Sequence, residues 1–190
     1  MKRILFAMIA LAMMLPIGCD KLKDATSRDF TVNNITFDFQ ATAQNNVTTM
    51  SGDPDVTVRA GETTSFSVTR TVDISEMGND DIIEYAGKIS KVAVNSSLIT
   101  VTANPAGTYT ITNLKVTAAG VAGELLIPSY TMGSTFTAPA NMNSYTTAFV
   151  MKLLAAKTVQ VTVTGNSDAP AGTKIDVKYE SDIVFTASLL

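Results

Sequence analysis

The chain has 190 residues and a formal net charge of −3, with 46% hydrophobic and 16% charged residues. This length allows one domain with a substantial core, or two very small ones, and the low charge content excludes a largely disordered protein. The sequence contains no His and only one Cys. These counts exclude Ser-His-Asp and Cys-His catalytic groups, His-bearing zinc sites and an internal disulfide, and the acidic balance argues against a nucleic-acid partner.

The first residues have the order of charge and hydropathy that is typical of a secretory signal peptide. A basic head, Met1-Lys2-Arg3, precedes the uncharged run 4–15, and Pro16 then comes shortly before Gly18-Cys19. This run is shorter than the ~20 apolar residues that a membrane-spanning helix needs. We therefore expect residues 1–18 to be removed as a targeting signal.

The only Cys lies at the end of this signal. The segment Leu15-Pro16-Ile17-Gly18-Cys19 resembles the lipobox of bacterial lipoproteins, although Pro16 stands where that family usually has Leu. In that family, cleavage precedes a Cys that carries diacylglycerol on its sulfur and a fatty acid on its nitrogen. The resemblance implies that Cys19 is lipidated and that residues 19–28 form a tether. The alternative is an ordinary signal peptide with a Cys nearby.

The lipobox resemblance also implies a location in the cell envelope, with the membrane as a partner through the lipid. Each buried methylene contributes about 0.8 kcal/mol, so two or three acyl chains hold a domain on a membrane. The outer membrane, on its periplasmic or surface face, is favoured. Asp20, however, resembles the inner-membrane retention signal of enterobacterial lipoproteins.

The pattern of residues 29–190 predicts a single all-β domain, an antiparallel β-sandwich of immunoglobulin-like or related topology. Thr alternates with Val, Ile or Phe along most of this stretch, as in strands with one buried face. Asn113 indicates a bulge, and Pro128 limits Leu125-Leu126-Ile127 to a short or edge strand. The other predicted strands are centred on Ile35-Phe37-Phe39, Val56-Val58, Phe66-Val68-Val72-Ile74, Ile89 to Val94, Ile99-Val101, Tyr109-Ile111, Leu114-Val116 and Val159-Val161-Val163.

The longest alternating run extends from Ile175 to Ala187. At ~3.3 Å per residue it would be about 40 Å long, so we expect a bend or bulge near residues 180–182 and a crossing from one sheet to the other. The turn-rich segment 165–172 predicts that this run and the 159–163 run form an antiparallel hairpin.

Two segments break the strand pattern. Asn79-Asp80-Asp81 is typical of a helix N-terminus, which predicts a helix of one or two turns over residues 79–86. After Pro139, helical spacing predicts an amphipathic helix over residues 142–154, with a strand from Thr146 as the alternative. The apolar positions of this second helix are Met142, Tyr145, Phe149, Val150, Leu153 and Leu154.

Few residues are candidates for catalysis or metal binding. Asp80, Asp81 and Glu84 fall within one short segment and are weak candidates for a hard cation, but an acidic first helical turn explains them more simply. Asp53-Pro54-Asp55 similarly fits a turn before a strand. We expect no cofactor and no enzymatic activity, because no motif supplies an activated nucleophile or a tuned base.

Tyr130 and Tyr145 are the candidate binding residues. Both lie in the stretch 125–145, which departs from strand alternation, and Tyr offers a flat apolar face with a polar hydroxyl. We expect these two rings to be more exposed than the aromatic residues in phase with the core. The simpler interpretation is that this stretch is a loop and a helix that close one end of the sandwich.

Three functions follow as hypotheses. We favour a lipid-anchored envelope protein whose sandwich binds a glycan or a protein, or has a structural role. The alternatives are a fimbrial or adhesin-type assembly subunit and a glycoside hydrolase that uses a carboxylate pair. The Thr-, Val- and Asn-rich composition resembles small β-sandwich lipoproteins of Bacteroidota, and this resemblance implies no particular activity.

Overall fold

The computed structural model describes residues 27–45, 63–134 and 136–188. Within these ranges the chain forms eight strands, two α-helices and one 3₁₀ turn. In chain order they are β1 (Ser27–Thr42), β2 (Gln44–Asn45), β3 (Thr64–Asp73), the 3₁₀ turn (Ile74–Met77), α1 (Asp80–Tyr85), β4 (Ile89–Asn104), β5 (Thr110–Ala118), β6 (Leu125–Thr131), α2 (Met142–Ala156), β7 (Thr158–Ser167) and β8 (Lys174–Ser188).

Some predicted features lie outside the described residues. They are the signal with Cys19, the Val56-Val58 pair and the Asp53-Pro54-Asp55 turn. β1 begins at Ser27, inside the segment that the sequence pattern assigned to the tether, so the first strand starts slightly closer to Cys19 than expected.

The strands form two antiparallel sheets around one apolar core, which confirms the all-β sandwich. The smaller sheet has the order β1-β8-β4, and the larger sheet has the order β2-β3-β7-β5-β6. Immunoglobulin constant domains have the order A-B-E-D and C-F-G, so the strand order of this sandwich differs from theirs. β6 lies at a sheet edge, as Pro128 predicts.

Several local predictions are confirmed, although the Ile89 to Val94 and Ile99-Val101 runs form one strand, β4, and Ile74 lies in the 3₁₀ turn rather than in β3. β5 shifts register between Thr112 and Lys115, and Asn113 has a φ of 52°, so the bulge lies where expected. Both helices form, and α2 continues through Thr146, which removes the strand alternative. The alternating apolar residues of β8 are buried, with Val177, Ile183 and Phe185 at most 3% exposed.

Two of the passages of the chain between the sheets, from β1 to β2 and from β7 to β8, lie side by side, which the sequence pattern did not indicate. β7 and β8 belong to different sheets, so the predicted hairpin is wrong, and residues 168–173 connect the sheets instead. β1 also passes into β2 through Ala43. The Ala43 amide donates to the Thr173 carbonyl at 2.8 Å, and the Ala43 carbonyl accepts from the Gly172 amide at 2.8 Å. The two crossings are therefore bonded to each other.

β8 itself stays in one sheet, so the predicted crossing near residue 181 is wrong. The irregularities lie instead in its two neighbours at this level. β1 shifts register between Val32 and Ile35, and β4 shifts register between Val94 and Ser96. A bulge in each flanking strand increases the local twist and accommodates the long central strand without a break in it.

Asp182 of β8 joins these two bulges. Its Oδ1 accepts a hydrogen bond from the Asn34 amide at 2.9 Å, and its Oδ2 accepts one from Ser96 Oγ at 2.8 Å. Asn34 has a φ of 56°, a left-handed conformation that Asn tolerates better than most residues. The hydrogen bond from the Asn34 amide lowers the pKa of the Asp182 carboxyl most, and the hydrogen bond from Ser96 lowers it further.

We expect Asp182→Asn to lower the midpoint of thermal unfolding at neutral pH, because a neutral amide oxygen accepts weaker hydrogen bonds than a carboxylate. A carboxyl whose pKa is lower in the folded state contributes stability above its unfolded pKa, and this contribution is lost as pH falls through the folded pKa. The difference in midpoint between wild type and variant should therefore shrink below about pH 4.

Asp29→Asn is the matched control, because Asp29 is an exposed carboxylate on β1. It should leave the thermal midpoint nearly unchanged at each pH. If the thermal midpoint of Asp182→Asn stays below that of wild type by the same amount from neutral pH into the acid range, the role of this carboxylate in joining the bulges is contradicted.

Candidate functional site

Helix α2 closes the side of the sandwich where the smaller sheet ends at β4. It packs against β4 and β7, so it bridges the two sheets. Phe149 of α2 meets Phe37 of β1 edge to face, with 5.5 Å between the ring centroids. The helix thus covers the part of the five-stranded sheet's apolar face that the three-stranded sheet leaves uncovered.

A small cavity remains between α2 and the inner faces of both sheets. Its volume is about 40 Å³, and its walls are almost entirely apolar. Tyr145, Thr146 and Phe149 reach it from the helix. This space has room for one water molecule, but its apolar walls do not favour one, and it is far smaller than a typical small-molecule site. We therefore treat it as part of the core.

Tyr145 belongs to this core, so the expectation that its ring is exposed is wrong. It is 9% exposed, because its helical spacing with Phe149 and Leu153 turns all three side chains inward. Its hydroxyl forms no hydrogen bond of normal geometry within the described ranges. Burial raises the pKa of this hydroxyl, and the neighbouring Ala118 backbone offsets that effect only in part.

Tyr179 of β8 also faces α2, but its hydroxyl is fully partnered. It hydrogen-bonds with Thr146 Oγ1 of the helix and with Ser97 Oγ of β4 at 3.0 Å. Thr146 Oγ1 donates to the Met142 carbonyl at 2.8 Å, so the Tyr179 hydroxyl is the donor toward Thr146. This chain of hydroxyls attaches α2 to the smaller sheet.

The two tyrosines allow a paired test of this arrangement by Tyr→Phe substitution. Tyr179→Phe removes the attachment to Thr146 and Ser97, and we expect it to lower the free energy of unfolding by about 1–2 kcal/mol. Tyr145→Phe removes a buried hydroxyl that makes no hydrogen bond of normal geometry, so the free energy of unfolding should stay within about 0.5 kcal/mol of wild type or rise. Urea denaturation followed by circular dichroism measures both, and equal losses in the two variants would contradict the assignment.

Tyr130 lies in a different environment, at the edge of the larger sheet. Its ring is half-buried and meets Phe136 edge to face, with 6.2 Å between the ring centroids. A turn after β6 brings Phe136 back toward this strand. In this turn the Ser134 amide and hydroxyl both donate to the Thr131 carbonyl, at 3.0 Å and 2.6 Å. Gly133 permits this turn with a φ of 81°.

A depression of about 250 Å³ opens beside this ring pair, and we call it the Tyr130 pocket. Among the described residues its lining consists of the two rings, one aliphatic side chain and four hydroxyl side chains, none of them charged. The residues other than the rings are Ile127, Ser129, Thr131, Ser134 and Thr137. Flat rings beside hydroxyls can contact an uncharged partner through both apolar faces and hydrogen bonds.

A larger depression of about 500 Å³ crosses the outer face of the larger sheet, and we call it the sheet groove. Short outward side chains on neighbouring strands line it, together with longer side chains at its sides. The polar lining includes Gln44, Ser65, Ser67, Thr164, Asn166 and Lys115. The sequence pattern gave no indication of this groove, because Ser, Thr and Asn are ordinary at outward positions and only the strand register brings them together.

Both depressions lie toward the end of the sandwich that is opposite to Ser27. β1 begins at Ser27 and passes at this far end into β2, where Gln44 pairs with the start of β3. The first residue of β3, Thr64, pairs with Ser167 of β7, and Ser167 pairs on its other side with Ile111 of β5. Ile111 in turn pairs with Tyr130. The far end therefore carries the Tyr130 pocket and one end of the sheet groove.

Asp80, Asp81 and Glu84, the weak metal candidates, all lie on α1. The Asn79 side chain caps this helix by accepting from the Asp81 amide at 2.8 Å. In the parts of the chain that the structure describes, no group of three acidic, His or Cys side chains has an arrangement that would hold a metal ion. The acidic first turn is thus explained by capping and by the helix dipole.

Comparison of the chain with protein-family models, with curated proteins and with solved structures gives no match. Neither α1 nor α2 is long and apolar enough to cross a membrane, and the same holds for every helix in the described ranges.

Proposed function

We propose that the chain is a lipid-anchored protein of the cell envelope whose β-sandwich binds a glycan or protein partner. Lipidation of Cys19 is inferred from the resemblance of residues 15–19 to a lipobox. The outer membrane, on either face, is the location that we favour. β1 begins shortly after Cys19, so the end of the sandwich at Ser27 would be the end nearest the membrane.

The position of the Tyr130 pocket is the observation that carries the binding proposal. It lies toward the end of the sandwich opposite Ser27, so an anchor at Cys19 would leave it facing away from the lipid. Its two rings are half-buried, as are those of Phe30, Tyr85, Tyr109 and Tyr179, so they pack against the core and still retain exposed surface. Loops and turns held on a rigid sheet are common binding surfaces.

The uncharged lining favours an uncharged partner surface. Nucleic acid requires cationic side chains along its phosphates, and the Tyr130 pocket has none among the described residues. A neutral glycan or an uncharged protein surface matches the rings and hydroxyls better.

The strand pairing favours a binding module over an assembly subunit that exchanges its last strand. Such exchange requires a terminal strand that can leave its sheet. β8 is hydrogen-bonded on both sides along nearly its whole length. Binding also has more support than carboxylate hydrolysis, since no Asp or Glu lines either depression in the described part of the chain.

The anchor is tested by Cys19→Ser in a bacterial host. The wild type should fractionate with membranes and incorporate labelled palmitate, because the Cys sulfur is the attachment point. Cys19→Ser should incorporate no label and should be soluble or remain unprocessed. Equal labelling of the two proteins would contradict lipidation at this residue.

The binding surface is tested by Tyr130→Ala with Tyr130→Phe as the matched control. Binding of the purified chain to a glycan array and to intact bacterial cells is measured. Tyr130→Ala should weaken binding by about tenfold or more through the loss of ring contact, whereas Tyr130→Phe should remain within about threefold of wild type. Unchanged binding by Tyr130→Ala would remove the pocket from the proposal.

A further inference from the structure

The sheet groove has a shape that follows from the lengths of its side chains. Ser65 and Ser67 of β3 alternate with inward residues, and the register places them opposite Asn166 and Thr164 of β7. These short side chains form a low floor across two neighbouring strands. Gln44 projects from β2 on one side, and the β5 bulge at Asn113 raises the other side next to Lys115.

Some of the groove side chains, unlike Lys115, have no partner among the described residues. Within the described residues, the side chains of Ser65, Ser67 and Asn166 make no hydrogen bond to protein. On the same face, one step further along the strands, Thr69 Oγ1 and Thr162 Oγ1 bond to each other at 2.8 Å. The outer face therefore changes from self-paired hydroxyls to unpaired hydroxyls and amides where the groove begins.

The groove is also close to electrically neutral. Among the described residues its one cationic side chain is Lys115, which forms a salt bridge with Glu124 at 3.0 Å. The remaining polar side chains are hydroxyls and carboxamides, each of which can both donate and accept hydrogen bonds. A volume of about 500 Å³ lies within the usual range for small-molecule sites.

We infer that the sheet groove binds a neutral oligosaccharide segment. Sugar hydroxyls donate and accept in the same way as the groove side chains, and a neutral chain requires no compensating charge. Side chains on adjacent strands present these groups about 4.8 Å apart in the direction across the sheet, so a linear ligand can bond with several of them at once. This inference rests on the proposed function. It deepens that function by naming the ligand class and by adding a second binding surface.

The test uses the full chain purified from membranes in detergent. Binding to immobilised glucan, mannan, galactan and xylan is measured, with a polyuronate as the charged comparison. Ser67→Phe fills the groove, and Asn166→Ala removes a donor and an acceptor from its floor. Thr71→Phe is the control for the first variant, because Thr71 is an exposed residue on the same strand and the same face, outside the groove. Thermal midpoints within a few degrees of wild type establish that the variants fold.

The wild type should bind at least one neutral polysaccharide, and both groove variants should weaken that binding by tenfold or more. Thr71→Phe and Tyr130→Ala should retain it. Loss of binding in Tyr130→Ala alone would overturn the groove assignment and leave the proposed binding function intact. Binding of the polyuronate only, or of no polysaccharide, would overturn the inference about the groove, while the Cys19 and Tyr130 tests would still decide the proposed function.

Discussion

The pairing of β8 with a strand on each side is the interaction on which the rest of the structure depends. β8 brings Val177 between Phe39 of β1 and Val101 of β4, and it brings Tyr179 between Phe37 and Ile99. The inner face of the smaller sheet is therefore built outward from this strand. β1 and β4 follow the twist of the long central strand β8, and each has a bulge at the level of Asp182. The Asp182 carboxylate accepts a hydrogen bond from each of the two bulges.

The unequal size of the two sheets explains why the sandwich contains a helix. Three strands leave part of the inner face of the larger sheet uncovered, and α2 covers it. The helix is attached through Thr146 and Tyr179, and the remaining space is a small apolar cavity. Two of the connections between the sheets, β1 to β2 and β7 to β8, are bonded to each other at the far end through Ala43. Proposed anchoring at Cys19 would turn that end, with the Tyr130 pocket, away from the membrane.

Local features of the fold could be predicted from the sequence because they depend on neighbouring residues. The period-two burial in β8, the bulge at Asn113 and the edge position required by Pro128 are of this kind. The division of strands between sheets could not be predicted, because β7 and β8 show the same alternation whether they pair with each other or face each other. The helical spacing of Tyr145 with Phe149 already indicated burial, and it was a better guide than departure from strand alternation. The sheet groove left no sequence pattern, since register alone places Ser67 beside Thr164.

Residue-resolved amide hydrogen exchange of the domain tests the central position of β8 most directly. In a strand bonded on both sides, successive amides point to alternate neighbours and all are protected, whereas an edge strand protects only every second amide. We predict slow exchange at consecutive positions of β8, such as Val177 and Lys178 or Val184 and Phe185, and alternating fast and slow exchange along β6. Alternating exchange along β8, at rates like those of β6, would contradict the account.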